Sequence, residues 1–357
     1  MQIGSGAGVD VDCVDVESHP PPQASRVEML TSRQENLAGL IRGTRAAIVV
    51  PSLFALGLLV KQPQMAGFTV FGTFAHLVMV NYSAVETTRL MQAALLTGFG
   101  SLLMSLGTLA SANTWTAVAG AAAAGFLSES PLLVRGSVAV SRTALLLSFM
   151  LATAVPAPLR FVLPQLAGWL LAGAVAQVAL HFLWISIRPI SAENEVVCAG
   201  PTNAGQWLGN AVRTGLAMSL ASLAARILGL NHAFWVVLGV LPVLSARGMS
   251  PTRTFWREQA GTLLGFLAGA CLVAALGAHE AWYWIALSLS VFFSAYASTA
   301  IGFAAGQAGF TVFAVILFCI LTPLQKRSGI VRVEDIAIGG LLSLLIASGA
   351  MSSACRA

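Results

Sequence analysis

Long stretches of this chain contain no charge at all. Asp, Glu, Lys and Arg are absent from 46–60, 62–85, 90–128, 143–159, 161–187, 227–246, 259–279, 281–325 and 336–355. A helix needs about 20 apolar residues to cross a bilayer, so most of these windows hold one crossing each. Two of them, 90–128 and 281–325, are long enough for two. Ser111-Ala112-Asn113-Thr114 is the expected break in the first, and Gly302, Gly306 and Gly309 mark it in the second. A further helix over 210–228, carrying Arg213 and Arg226, brings the expected number of crossings to twelve. Only 9% of the 357 residues are charged and 57% are hydrophobic, against about 25% charged in a soluble domain. Such a chain cannot coat a water-facing surface, so the class is an all-α integral membrane protein.

The N-terminal segment differs. Asp10, Asp12, Asp15 and Glu17 precede Pro20-Pro21-Pro22 in a Gly- and Ser-rich stretch, with no basic start or apolar core of a signal peptide. Residues 1–42 are expected to form a cytoplasmic disordered tail, with Val27, Leu30, Leu37, Leu40 and Ile41 able to line a short interfacial helix. Placing the N-terminus inside puts thirteen of the nineteen Lys and Arg on the cytoplasmic side. Five are left outside (Lys61, Arg160, Lys326, Arg327 and Arg332), with Arg226 unassigned. The positive-inside rule therefore places both termini in the cytoplasm.

Sliding the chain by 167 positions reveals an internal repeat. Phe68 falls on Trp235, Gly72 on Gly239, Gly98 on Gly265, Pro156 on Pro323 and Arg160 on Arg327; one more step brings Arg45 onto Arg213 and Arg89 onto Arg257. The expected organisation is a first six-helix repeat over 43–187, a cytoplasmic linker over 188–210 and a second six-helix repeat over 211–357. Six crossings per unit make the two halves parallel, related by a pseudo-two-fold along the membrane normal, with a substrate path near their interface.

No catalytic motif is present. GxGxxG at a strand–helix junction, GxxxxGK[ST], HExxH and the nucleophile elbow are all missing, so an enzyme is not expected. The five cysteines are scattered without a CxxC pair, and no metal site or cofactor follows from them. The dispersed basic residues exclude nucleic acid as a partner; the bilayer is the expected surrounding.

The strongest local pattern is Phe234-Trp235-Val236-Val237-Leu238-Gly239-Val240-Leu241-Pro242, followed by Arg257-x3-Gly261-Thr262-x2-Gly265. Together with Arg213 at the start of the first helix, Tyr296, Phe310-Thr311, and Arg332 and Asp335 ahead of Gly339, it resembles the fusaric acid resistance protein-like (FUSC) integral membrane family. The resemblance is best over 211–345 and extends through the repeat to 43–187. It implies an inner-membrane efflux transporter of small organic acids, aromatic carboxylic acids foremost. It also implies a more distant relation to plant malate-permeable anion channels. Family members often carry a cytoplasmic domain behind a membrane block, whereas this sequence stops at Ala357, as a compact variant or a shortened chain would. Homo-oligomers or a periplasmic adaptor are the protein partners to consider.

The residues themselves support parallel readings. Gly261, Thr262 and Gly265 suit close helix packing through small side chains. Arg45, Arg213, Arg89 and Arg257 suit either anchoring at the interface or a cationic vestibule that grips carboxylates through the guanidinium fork. Phe68 and Trp235 could stack on an aromatic substrate or belong to an aromatic belt. Arg332, Glu334 and Asp335 either cap the last helix or form an exit gate. No Asp or Glu is expected in the middle of a span, which leaves His76 and His181 as the groups able to carry protons. Without them, an interior-negative potential alone would drive a monoanion outward, by about 2.3 kcal/mol per 100 mV. A passive anion channel and a non-transporting membrane subunit are the alternatives to a transporter.

Overall fold

The computed structural model describes residues 22–80, 82, 85–129, 142–154, 157–182, 204–229, 236, 239, 251–277 and 279–321. They form ten α-helices: α1 (Pro22–Leu59), α2 (Pro63–Leu77), α3 (Glu86–Ser111), α4 (Thr114–Ser128), α5 (Arg142–Thr153), α6 (Val162–Phe182), α7 (Ala204–Ile227), α8 (Pro251–Leu276), α9 (Glu280–Ala300) and α10 (Phe303–Leu321). Six segments are long and apolar enough to cross a membrane: Asn36–Leu59, Glu86–Ser111, Leu159–Phe182, Thr252–Leu276, Glu280–Ala300 and Phe303–Leu321. The all-helical membrane class stands. The described residues hold ten helices and six such spans, short of the twelve crossings expected.

Local chemistry sets the helix ends. The break expected at Ser111–Thr114 is present, because the Asn113 side chain accepts from Trp115 N and caps α4. In the later window the chain turns at Gly302, whose φ of 131° only glycine adopts readily. Gly306 and Gly309 lie inside α10, where Ser298 and Ser294 of α9 fill the space a side chain would need.

At the N-terminus the structure departs from the expected tail. Residues 22–42 belong to α1, which runs without interruption into the first span and includes Pro51. The charge-free window marks only the apolar part of a helix. The polar part before it is held by α9, with Gly39 against Tyr296, Gly43 against Phe292, and Tyr296 Oη donating to Asn36 Oδ1 at 3.3 Å. The last residues of the expected linker, 204–210, are likewise helical, as the start of α7.

Two halves of the sequence interlock. In the first, α2 packs on α1 and α6, and α3 packs on α5 and α6; in the second, α10 packs on α8 and α9. Between them α1 packs on α9, and α4 packs on α7. A shift of 167 carries α1 onto α7 and α4 onto α9, so these two contacts exchange with each other. Phe74 of α2 also stacks on Phe313 of α10, with ring centroids 5.2 Å apart.

Candidate functional site

α2 ends at Leu77, and the last carbonyls of a helix have no partner within it. Here α1 supplies one. Arg42 Nε donates to Leu77 O at 3.3 Å, and its Nη2 donates to Val80 O at 3.1 Å and to Val78 O. Three residues further along α1, Arg45 is 7% exposed, and Arg89 in the first turn of α3 is 3% exposed. Arg45 is close enough to Arg42 and Arg89 for their charges to interact, and Tyr82 lies near Arg42 and Arg45. The C-terminus of α2 therefore forms the floor of a site with three guanidiniums, and its negative dipole end favours them there. Glu86, also in the first turn of α3, pairs with His181 of α6, whose Nδ1 lies 2.6 Å from Oε1. That pair engages His181 at the exposed helix ends.

The second-half arginines sit differently. Arg213 on α7 is half-buried, and Arg257 on α8 is exposed. The structure thus brings Arg45 and Arg89 together and does not bring Arg213 and Arg257 to the same site. Trp235, Arg332, Glu334 and Asp335 lie outside the described residues. Phe68 is buried among Leu96, Met104 and Trp169, in the cluster joining α2, α3, α5 and α6. His76 is wholly buried between α2, α3 and α6, 5.5 Å from the Trp169 ring.

On α8, Gly261 and Gly265 face the Ala304 and Ala308 carbonyls of α10, and a Cβ at either position would strike backbone. Gln307 Nε2 approaches Thr262 Oγ1 at 3.5 Å from the same helix. The motif residues thus lie at the α8–α10 crossing.

Three features were missed by sequence reasoning. Arg42 is the first; its position three residues before Arg45, on nearly the same helix face, was the available signal. The second is Glu258, a carboxylate that lies within a span though short of its middle. It sits inside Thr252–Leu276 and is fully buried, because α8 begins at Pro251 and not where the charge-free window opens. The third is a polar line at the opposite end from the arginine site. Thr108 Oγ1 donates to Gln165 Oε1 at 2.6 Å, and Gln165 Nε2 donates to Gln64 Oε1 at 3.2 Å. At that same end Arg226 Nη2 donates to Ser111 O at 3.0 Å and Thr153 O at 2.9 Å. A second-half arginine thereby closes the C-terminal ends of α3 and α5 against α7. No group of His, Cys, Asp and Glu able to hold a metal occurs among the described residues.

Comparison with known proteins adds one match. Residues 220–346 match the family model described as fusaric acid resistance protein-like, which supports the family resemblance drawn from the Arg257–Gly265 motif. The match points to a multi-pass membrane protein with a role in transport. No curated protein and no solved structure matches the chain.

Proposed function

We propose that the protein exports small organic acids, aromatic carboxylates foremost, across a bacterial inner membrane, loading them from the cytoplasm at Arg42, Arg45 and Arg89. The observation that carries this reading is the burial of Arg45 and Arg89 together at the end of α2. A guanidinium that only anchors a helix reaches out to headgroups and water. Charges buried within a membrane protein instead mark substrate or ion pathways. A carboxylate entering between two guanidiniums gains charge-assisted, forked hydrogen bonds. The exchange of the α1–α9 and α4–α7 contacts under the repeat shift supports two parallel halves; the same reading takes twelve crossings from the charge-free windows and cytoplasmic termini from the charge count. In this orientation Arg226 closes the outer end.

The test is growth in an aromatic acid, combined with efflux from loaded vesicles. Arg45→Gln and Arg89→Gln should each lower resistance at unchanged protein level. Full resistance in both variants would overturn the site. A second reading, a subunit that binds a partner protein, rests on exposed Arg257 on the outward face of α8. Loss of function in Arg257→Gln with both first-half variants intact would favour it.

A further inference from the structure

His76 is held by two partners whose chemistry fixes its protonation pattern. Its Nδ1 lies 2.7 Å from the Gly72 carbonyl. A carbonyl only accepts, so Nδ1 carries a hydrogen and donates it. Its Nε2 lies 3.1 Å from Thr97 Oγ1, and that same hydroxyl lies 2.8 Å from the Ala93 carbonyl. One hydroxyl hydrogen therefore has two acceptors within reach. With the imidazole neutral, Thr97 donates to Nε2. With a proton added to Nε2, the new N–H donates to Oγ1 and the Thr97 hydroxyl turns to Ala93 O. Neither state leaves a buried polar atom of the pair without a hydrogen bond, so the usual cost of an unsatisfied group does not arise.

The surroundings hold this arrangement in place. Thr97 is wedged against Gly173 and the Trp169 ring against Gly100, where a Cβ would collide with them; at Gly72 a Cβ would strike Ala172 and press on the Trp169 ring. Only the O–H bond of Thr97 has to rotate, not the side chain. Trp169, with its ring centroid 5.5 Å from that of His76, supplies a π-system that attracts an imidazolium.

We propose that His76 and Thr97 form a proton-binding site within the first half, with the proton taken from water and bound at Nε2. The charged and titratable groups on the elements packed around it, at the same end of the helices, are Arg42 and Arg45 on α1, Glu86 and Arg89 on α3, and His181 on α6. Arg142 opens α5, and Tyr82 follows α2. The link to export rests on the anion reading above. An anion among the three guanidiniums and a proton on His76 attract each other, so binding of either tightens the other.

The test uses the full chain in lipid nanodiscs, labelled with ¹⁵N-histidine, with the His76 signal assigned by its loss in His76→Gln. The expected result is a neutral imidazole carrying hydrogen on Nδ1 that titrates reversibly between pH 4 and 9. Thr97→Val should move that midpoint down by about one unit, the worth of one hydrogen bond to a charged group, and Thr97→Ser should keep it. A neutral form carrying hydrogen on Nε2, no titration, or a midpoint unmoved by Thr97→Val would overturn the proposal. The wild-type tautomer decides alone if Thr97→Val does not fold. 2-Naphthalenesulfonate, charged at every pH used, should raise the wild-type midpoint. A midpoint indifferent to it but sensitive to Thr97 would sustain the proton site and count against the anion site.

Discussion

A shift of 167 sets α3 on α8 in the sequence, yet the two helices bury opposite residues. On α3, Arg89 is buried, and Gly98 faces open space with nothing near its missing Cβ. On α8, Arg257, matched to Arg89 at a shift of 168, is exposed, and Gly265, matched to Gly98 at a shift of 167, is pressed against Ala308 and Thr311. α3 turns its arginine face toward α5 and α6; α8 turns its glycine face toward α10. The one-residue offset between the two matches turns the arginine and the glycine differently about the two helix axes, and positions matched in sequence need not share an environment. Arg42, beside the buried Arg45, takes up carbonyls at the C-terminus of α2, whose negative dipole end favours cations there.

The glycine pair should give the largest contrast. Gly265→Val places a side chain on a backbone carbonyl that cannot move aside, and should cost more than the roughly 1–3 kcal/mol of ordinary overpacking. Membrane-inserted, detergent-stable protein should be largely lost. Gly98→Val should stay within about 0.5 kcal/mol, as for substitutions away from packed features. Equal stability of the two in thermal melts would mean that the helices are not rotated relative to each other. The arginine pair comes next. Arg89→Gln should reduce efflux of an aromatic acid at least tenfold, the worth of about 1.5–3 kcal/mol for bonds to a charged group, while Arg257→Gln should fall by less than twofold. A reversal of that order would move the substrate site to the second half.

Much of the class was evident from sequence and much of the site was not. Charge-free windows locate apolar helix bodies well, because lipid tolerates few charges, but they do not locate polar helix extensions. Residues 22–42 of α1 and the first turns of α8 were misread for that reason, and with them Glu258. The repeat drew attention to Arg45 and Arg89, since matching arginines are rare by chance. It could not reveal Arg42, whose role depends on α2 ending at Leu77 within its reach. The links Thr108–Gln165 and Arg226–Ser111 join residues 57 and 115 positions apart, and no local pattern announces them.

Two smaller effects would sharpen the contrast between the halves. Arg226→Gln removes donors to two helix ends belonging to the other half. It should lower stability by about 1–3 kcal/mol and make Ser111→Cys more reactive to a water-soluble thiol reagent; unchanged reactivity would mean that the outer end is held otherwise. Arg89→Lys keeps the charge but loses the fork. It should restore part of the efflux lost in Arg89→Gln, by roughly threefold, a gap small enough to need initial-rate measurements. Full restoration would show that charge alone is recognised.

α2 has 15 residues, which at 1.5 Å per residue give about 22 Å, well short of the roughly 30 Å hydrocarbon layer. Its arginine-capped end cannot rest in lipid tails. In the proposed orientation the cytoplasmic leaflet must thin there, or water must reach in to meet the guanidiniums. Either way the surrounding membrane becomes part of the entrance. Bilayers of short-chain lipids should ease the deformation, and long-chain ones should oppose it at a modest cost for every ångström of mismatch. The rate at which acids load should therefore vary with acyl chain length even when no residue of the protein has been changed.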